Sequence, residues 1–309
     1  MIVQKKQWLQ TAFQLKGSII TAIYQRVFWC GIFGFLISIL YHFRLPVSQP
    51  ILESVIPSIV LGLLLVFRTN TAYERFWEGR KCWGNIVNQV RNLARQIWVS
   101  VDEITPEDRE NKISVLRLLV AFAVATKLHL RGEAVNSELK EFMASSKYLT
   151  LKTMNNPPLE VAFWIGDYLQ HQYNRNCLNN YQLISNQELL NSLVDSLGAC
   201  ERILKTPMPL AYAIHLKQLL LLYCLLLPFE LVHNLGWWTG LIVALISFTL
   251  FGIEAIGVEI ENPFGHDTND LPLDAICNTM KRNIEDLISL TPSVYSYTEK
   301  EIVSGKESN

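Results

Sequence analysis

The stretch "IPSIVLGLLLVFRTNTAYERFWEGRKCW", residues Ile56–Trp83, decides the fold. Its first half carries no charge. Its second half holds Arg68, Glu74, Arg75, Glu78, Arg80 and Lys81, with Tyr73, Phe76, Trp77 and Trp83 between them. Nothing after Pro57 breaks a helix strongly enough to separate the halves. The pattern predicts one continuous helix, apolar for about three turns and then charged and aromatic. Arg, Tyr and Trp suit the boundary where a helix leaves a bilayer, because each has an apolar body and a polar tip. The helix therefore crosses a membrane and leaves it near Arg68. Beyond that point Glu78 can reach Lys81 along the helix, and the aromatic side chains predict burial against other helices.

Three more apolar spans complete the set. The spans are about 27–43, 51–67, 210–229 and 235–257. The first reaches about 26 Å at 1.5 Å per residue, just enough for a hydrocarbon core of about 30 Å. It begins late, and no small-residue cleavage site follows it, so a cleaved signal peptide is not expected. The second is interrupted by Glu53 and the third carries His215 and Lys217 in its first two turns. Trp237 and Trp238 open the fourth, as interfacial anchors do. Leu45–Pro50 joins the first pair and Glu230–Asn234 the second. Lys5, Lys6, Lys16 and Arg26 precede the first span, and Arg68, Arg75, Arg80, Lys81, Arg91 and Arg95 follow the second. The joining loops offer only Arg44. The excess of Lys and Arg then puts both termini and the middle of the chain in the cytoplasm.

Composition agrees. Of 309 residues 50% are hydrophobic and 18% charged, against about a quarter charged in soluble domains. The net charge of −1 gives no argument for a nucleic-acid partner. The six cysteines show neither CxxC nor zinc spacing, and reduced thiols are expected. Between the hairpins, about 68–206, apolar residues recur three and four apart in "ISVLRLLVAFAVATKLHL" (Ile113–Leu130), "VAFWIGDYLQ" and "QELLNSLVDSLGACERIL", which read as amphipathic helices. Breaks fall at Thr105–Pro106 and Asn155–Pro158. The polar tail about 293–309 is expected to be mobile.

Three places could carry function. Ile59, Leu63 and Phe67 lie four apart and form one ridge along a helix. Ringed by copies of itself, such a ridge makes a narrow apolar tube that gates by drying out; the plainer reading is a face turned to lipid or to a neighbouring helix. In "TPMPLAY" (Thr206–Tyr212) two prolines flank Met208 and would aim it rigidly, or simply start the next helix. The segment "EAIGVEIENPFGHDTNDLPLD" (Glu254–Asp274) gathers Glu254, Glu259, Glu261, His266, Asp267, Asp270 and Asp274. Its oxygens could hold a hard cation such as calcium, or its Asn and Asp could cap helix ends. No glycine-rich phosphate loop, GxSxG or HExxH is present. Charge inside the spans is sparse and sits near their ends, unlike a proton-coupled transporter.

"FRTNTAYERFWEGRKCWG", "TPMPLAY" and "IENPFGHDTNDLPLD" together resemble the bacterial and plant branch of the bestrophin channels over nearly the whole chain. The resemblance implies an all-α, multi-pass membrane protein, one bestrophin-like unit over 1–309, with a helical cytoplasmic region at about 68–206 and 258–309. It implies a homopentamer around a central pore. The family's neck falls on Ile59, Leu63 and Phe67, and its second constriction, the aperture, on Met208, where many relatives have isoleucine. Animal members carry a calcium clasp after the Asn-Pro-Phe-Gly element. Here Asp267 and Asp270 fall at acidic clasp positions and Glu259 and Asn262 at backbone-ligand positions, while His266, Thr268 and Asn269 replace acids. No cofactor is required on this reading, and the reduced charge argues against calcium. The function implied is passive passage of monovalent ions, chloride and other anions first, with a sodium or potassium channel of the same fold as the alternative. A membrane metalloenzyme built on Glu254–Asp274 and a non-conducting sensor are the readings from other classes. The setting expected is a bacterial plasma membrane, or a photosynthetic one.

Overall fold

The computed structural model describes residues 13–49 and 55–292. Residues 51–54 of the second span, with Glu53, as well as Lys5, Lys6 and the 293–309 tail, lie outside the described residues. Nine α-helices and two short 3-10 turns account for the described architecture, and no strand occurs among the described residues. The helices are α1 (Ile20–His42), α2 (Ile56–Ser100), α3 (Pro106–Arg131), α4 (Ser145–Leu151), α5 (Pro157–Asn174), α6 (Asn180–Lys205), α7 (Leu210–Leu235), α8 (Thr239–Glu259) and α9 (Leu273–Ser289). The chain divides into two compact units, Met1–Trp77 with Thr206–Asp270, and Glu78–Lys205 with Leu271–Asn309. As expected, α2 is one unbroken helix of 45 residues.

The first unit holds the four spans: α1, the first part of α2, α7 and α8. Helix α1 lies along α8, and α7 packs on both. Small residues permit the close approach of α1 and α8. A Cβ on Gly240 would stand 3.0 Å from the Gly31 carbonyl oxygen, and one on Gly34 would stand 3.0 Å from Gly240 Cα. This is how helices associate in lipid, where van der Waals contact replaces the hydrophobic effect. Leu61 and Leu65 of α2 join Leu216, Leu220, Cys224 and Val243 in the core. Tyr212 Oη donates to the Leu64 carbonyl at 2.8 Å and Ser58 Oγ pairs with Tyr223 Oη at 3.1 Å, tying α7 to α2.

Two expected boundaries are corrected. Helix α1 starts at Ile20, before Arg26, because a helical backbone does not stop where hydropathy does. Residues Glu230–Asn234 are not a loop but the last turns of α7, which continues through Pro228. The reversal comes instead at Gly236, whose φ of 52° and ψ of −120° glycine alone adopts easily, followed by a 3-10 turn over Gly236–Trp238.

The second unit is organised around α3. Thr105 and Asp108 form a capping box, Pro106 opens the helix, and Gly132 closes it at φ 67°. Helix α3 is also long and apolar enough to cross a membrane, but its apolar window is 78% buried inside the protein, against 22–33% for the windows in the spans. It is the core helix of the second unit, wrapped by α5, α6 and α9. Its charges are matched accordingly: Lys112 Nζ reaches Glu103 at 2.8 Å, and Lys127 Nζ meets Glu138 and Asp274 at 2.8 Å each. All six cysteines are free and buried.

Two glycine substitutions should move stability in opposite directions. Gly240→Leu should lower the thermal midpoint of purified protein, since overpacking costs about 1–3 kcal/mol. Gly198→Ala, within α6 and with no atom within 4 Å of the added Cβ, should raise it by about 0.5–1 kcal/mol. Equal midpoints in a thermal melt would contradict the packing described.

Candidate functional site

Helix α2 has two faces in its membrane part. Leu61 and Leu65 are buried at 4% and 2% exposure, packed in the core with α7. Ile59, Leu63 and Phe67 lie on the opposite side and are 55%, 52% and 61% exposed. Three large apolar side chains thus line one open ridge, as the four-residue spacing predicts.

At the foot of this ridge the helix carries Arg68, which is buried. Its Nη2 donates to Glu261 Oε2 at 2.6 Å, and its Nη1 lies 3.1 Å from Met208 Sδ. The other Glu261 oxygen accepts the Met208 backbone N–H at 2.7 Å. Two turns further along α2, Arg75 Nε donates to the Glu261 carbonyl at 3.3 Å, and Arg75 Nη1 donates to the Thr206 carbonyl. Glu261 therefore sits between α2 and the Thr206–Pro209 segment and holds both. Gly257 makes room: a Cβ there would stand 3.3 Å from Arg68 Cγ. Burial alone would push the Glu261 carboxyl upward. The hydrogen bonds from Arg68 and the Met208 N–H, with the charges of Arg68 and Arg75, outweigh it and hold Glu261 below its ordinary value. The sequence reading named Met208 but not this pair. The only signal for it was an arginine at the apolar boundary of α2 in a chain that also supplied a carboxylate beside Asn262-Pro263.

The acids of Glu254–Asp274 do not converge. Glu254 faces Arg26 and Lys217. Glu259 accepts from Asn269 Nδ2 at 3.0 Å, and that same nitrogen donates to the Gly17 carbonyl. Asp270 Oδ2 accepts the Asp267 N–H at 2.8 Å, while the Asp270 N–H returns to the Asp267 carbonyl at 3.1 Å. Asn262 Oδ1 accepts the Phe264 N–H at 3.3 Å. Asp274 pairs with Lys127 and Arg131, which hold it below its ordinary value. Glu78 accepts from Arg202 Nη2 at 2.5 Å, a cross-element contact that local spacing did not reveal.

Comparison with known proteins gives a family. Residues 1–286 match the family model described as bacterial/fungal bestrophin protein. The chain belongs to the bestrophin family. A Nostoc protein named a voltage-dependent anion channel-forming protein is 75% identical over 96% of this chain and 97% of its own length. A protein of the same descriptive name from Escherichia coli K12 is 32% identical over 91% and 92%. A crystal structure of a bacterial bestrophin homologue from Klebsiella pneumoniae is 28% identical, covers 87% of this chain and all of that one, and superposes with a TM-score of 0.80.

In this bestrophin the clasp-position side chains make local contacts: Asp270 Oδ2 accepts the backbone N–H of Asp267 and Glu259 Oε1 accepts from Asn269. Among the described residues no three His, Cys, Asp or Glu are grouped so that they could hold a metal. Gly265 tightens the turn further, since a Cβ there would fall 2.6 Å from Asp270 Oδ2.

Glu261→Gln should destabilise the protein by about 3 kcal/mol at neutral pH, the scale for breaking a buried ion pair. A carboxyl whose folded value is depressed stabilises above its unfolded value of about 4.3 and loses that contribution as pH falls through the folded value. The gap in melting temperature between wild type and variant should therefore be full at pH 7 and shrink below about pH 4. A gap independent of pH would contradict the ionised pair.

Proposed function

We propose that copies of this chain assemble as a homopentamer, with five α2 helices around a central pathway that passes monovalent anions passively. The open ridge of Ile59, Leu63 and Phe67 carries this reading. Each chain leaves these side chains uncovered while burying the opposite face of α2, and a ring of copies gives the ridge an inside to line. Family membership supports the assembly, and the names of the Nostoc and Escherichia coli relatives support anions as the conducted ions.

In this reading Ile59, Leu63 and Phe67 form the neck. No charge lies on the ridge, so an ion gains nothing there to replace its hydration, and a narrow neck closes by losing water. The neighbouring Arg68 is committed to Glu261, so it offers no fixed anion site in the neck. Met208 forms the aperture. Its N–H is held by Glu261 and its Sδ lies against Arg68 Nη1, so the aperture residue is anchored to the same node through backbone and side chain. The pathway needs neither metal nor catalytic group, and we assign the chain no enzymatic activity. Its bacterial relatives and its Lys/Arg distribution support a plasma-membrane location with both termini in the cytoplasm.

Planar-bilayer recording of purified protein under a sodium chloride gradient tests this. The current should reverse near the chloride potential, and Leu63→Ala should raise the conductance several-fold by widening and wetting the neck. Reversal near the sodium potential would replace the anion reading with the cation one. No current from a verified pentamer would favour a sensor, and unchanged conductance in the variant would remove Leu63 from the neck.

A further inference from the structure

We propose that the groove between α1 and α7 holds one anionic membrane lipid, its phosphate-bearing headgroup between Arg26 and Lys217 and its acyl chains along Trp29, Phe33 and Leu221. The groove has a volume of about 540 Å³, within the range of small-molecule sites. At its base lies Glu254, whose side chain is 4% exposed. Arg26 Nη1 stands 3.9 Å from one of its oxygens and Lys217 Nζ 3.8 Å from the other. These distances are too long for hydrogen bonds. Among the described residues neither cation has another partner.

Two cations thus share one carboxylate, which leaves one net positive charge and a set of unspent N–H donors facing the opening. Both side chains remain more than half exposed. The position along the spans matches a headgroup. Arg26 lies within about two turns of the start of α1, Lys217 about two turns into α7, and Glu254 less than two turns from the end of α8. All three sit at the end of the bundle where the chain enters or leaves the membrane. Deeper into the spans the wall becomes aromatic and aliphatic. Positive at the interface and oily below is the pattern that basic pockets between membrane helices present to anionic lipids. A free anion would leave the apolar wall in water, which is why the lipid, and not phosphate alone, is the occupant proposed.

Native mass spectrometry of the detergent-purified protein titrated with phosphatidylglycerol tests the proposal. Wild type should bind about one lipid per subunit, in preference to phosphatidylcholine. Arg26→Gln and Lys217→Gln should each weaken binding about fivefold, the effect of one basic residue at a membrane surface. Arg26→Lys keeps the charge and should keep the binding. Glu254→Gln, which removes the competing carboxylate, should strengthen it, so a loss of fold cannot imitate the full pattern. The proposal is overturned if phosphatidylcholine binds equally, if inorganic phosphate displaces the lipid, or if the glutamine variants bind as wild type does. It is also overturned if wild type takes up no lipid because a neighbouring subunit covers the groove.

Discussion

A guanidinium placed where an apolar helix meets water cannot be buried alone. Arg68 occupies that position on α2 and is almost fully enclosed, so its charge must be matched in place. Glu261 supplies the match at 2.6 Å, and the consequences spread from there. The carboxylate needs partners for its second oxygen, and it takes the Met208 N–H. The helix end needs a side-chain-free residue at Gly257 so that Arg68 can pass. Arg75 then binds the two backbone segments that flank the pair. One buried charge in this way sets the position of the Thr206–Pro209 segment against α2, at the foot of the Ile59, Leu63 and Phe67 ridge.

The same composition serves two kinds of burial. Helices α1, α7 and α8 are apolar because lipid surrounds them; α1 and α8 meet through glycine and small side chains, and α7 packs with leucines. Helix α3 is as apolar but is enclosed by protein, and each of its buried lysines is provided with carboxylates from elsewhere in the second unit. What separates the two cases is the presence of matched charge, not hydropathy. Removing water raises the cost of an unpaired ion in either place. The buried lysines of α3 are each matched, whereas at Arg26 and Lys217 one carboxylate is shared by two cations.

The spans, the unbroken α2, the helical middle and the breaks at Thr105 and Asn156 were legible because hydropathy, periodicity and capping residues act locally. The ridge of Ile59, Leu63 and Phe67 was legible for the same reason, since spacing alone puts them on one face. The Arg68–Glu261 pair was not, because 193 residues separate its members and nothing local distinguishes Glu261 from the six other charged or ionisable residues around it. Those neighbours looked like one acidic cluster in the chain. The turn at Pro263–Asp270 and the ends of α8 and α9 send them to different partners, so adjacency in sequence carried no information about adjacency in space. The Glu230–Asn234 segment misled because it falls in the short gap between two apolar runs, yet α7 continues through it and the chain reverses at Gly236.

The most direct test of the central claim is a double-mutant cycle on Arg68→Met and Glu261→Gln, read by thermal unfolding of the purified protein at pH 7. If the pair is the constraint described, the two single variants each lose stability and the double variant loses far less than their sum, with a coupling of about 2 kcal/mol or more. Additive losses, with coupling near zero, would mean that Arg68 and Glu261 are buried independently and that the Thr206–Pro209 segment is held by something else.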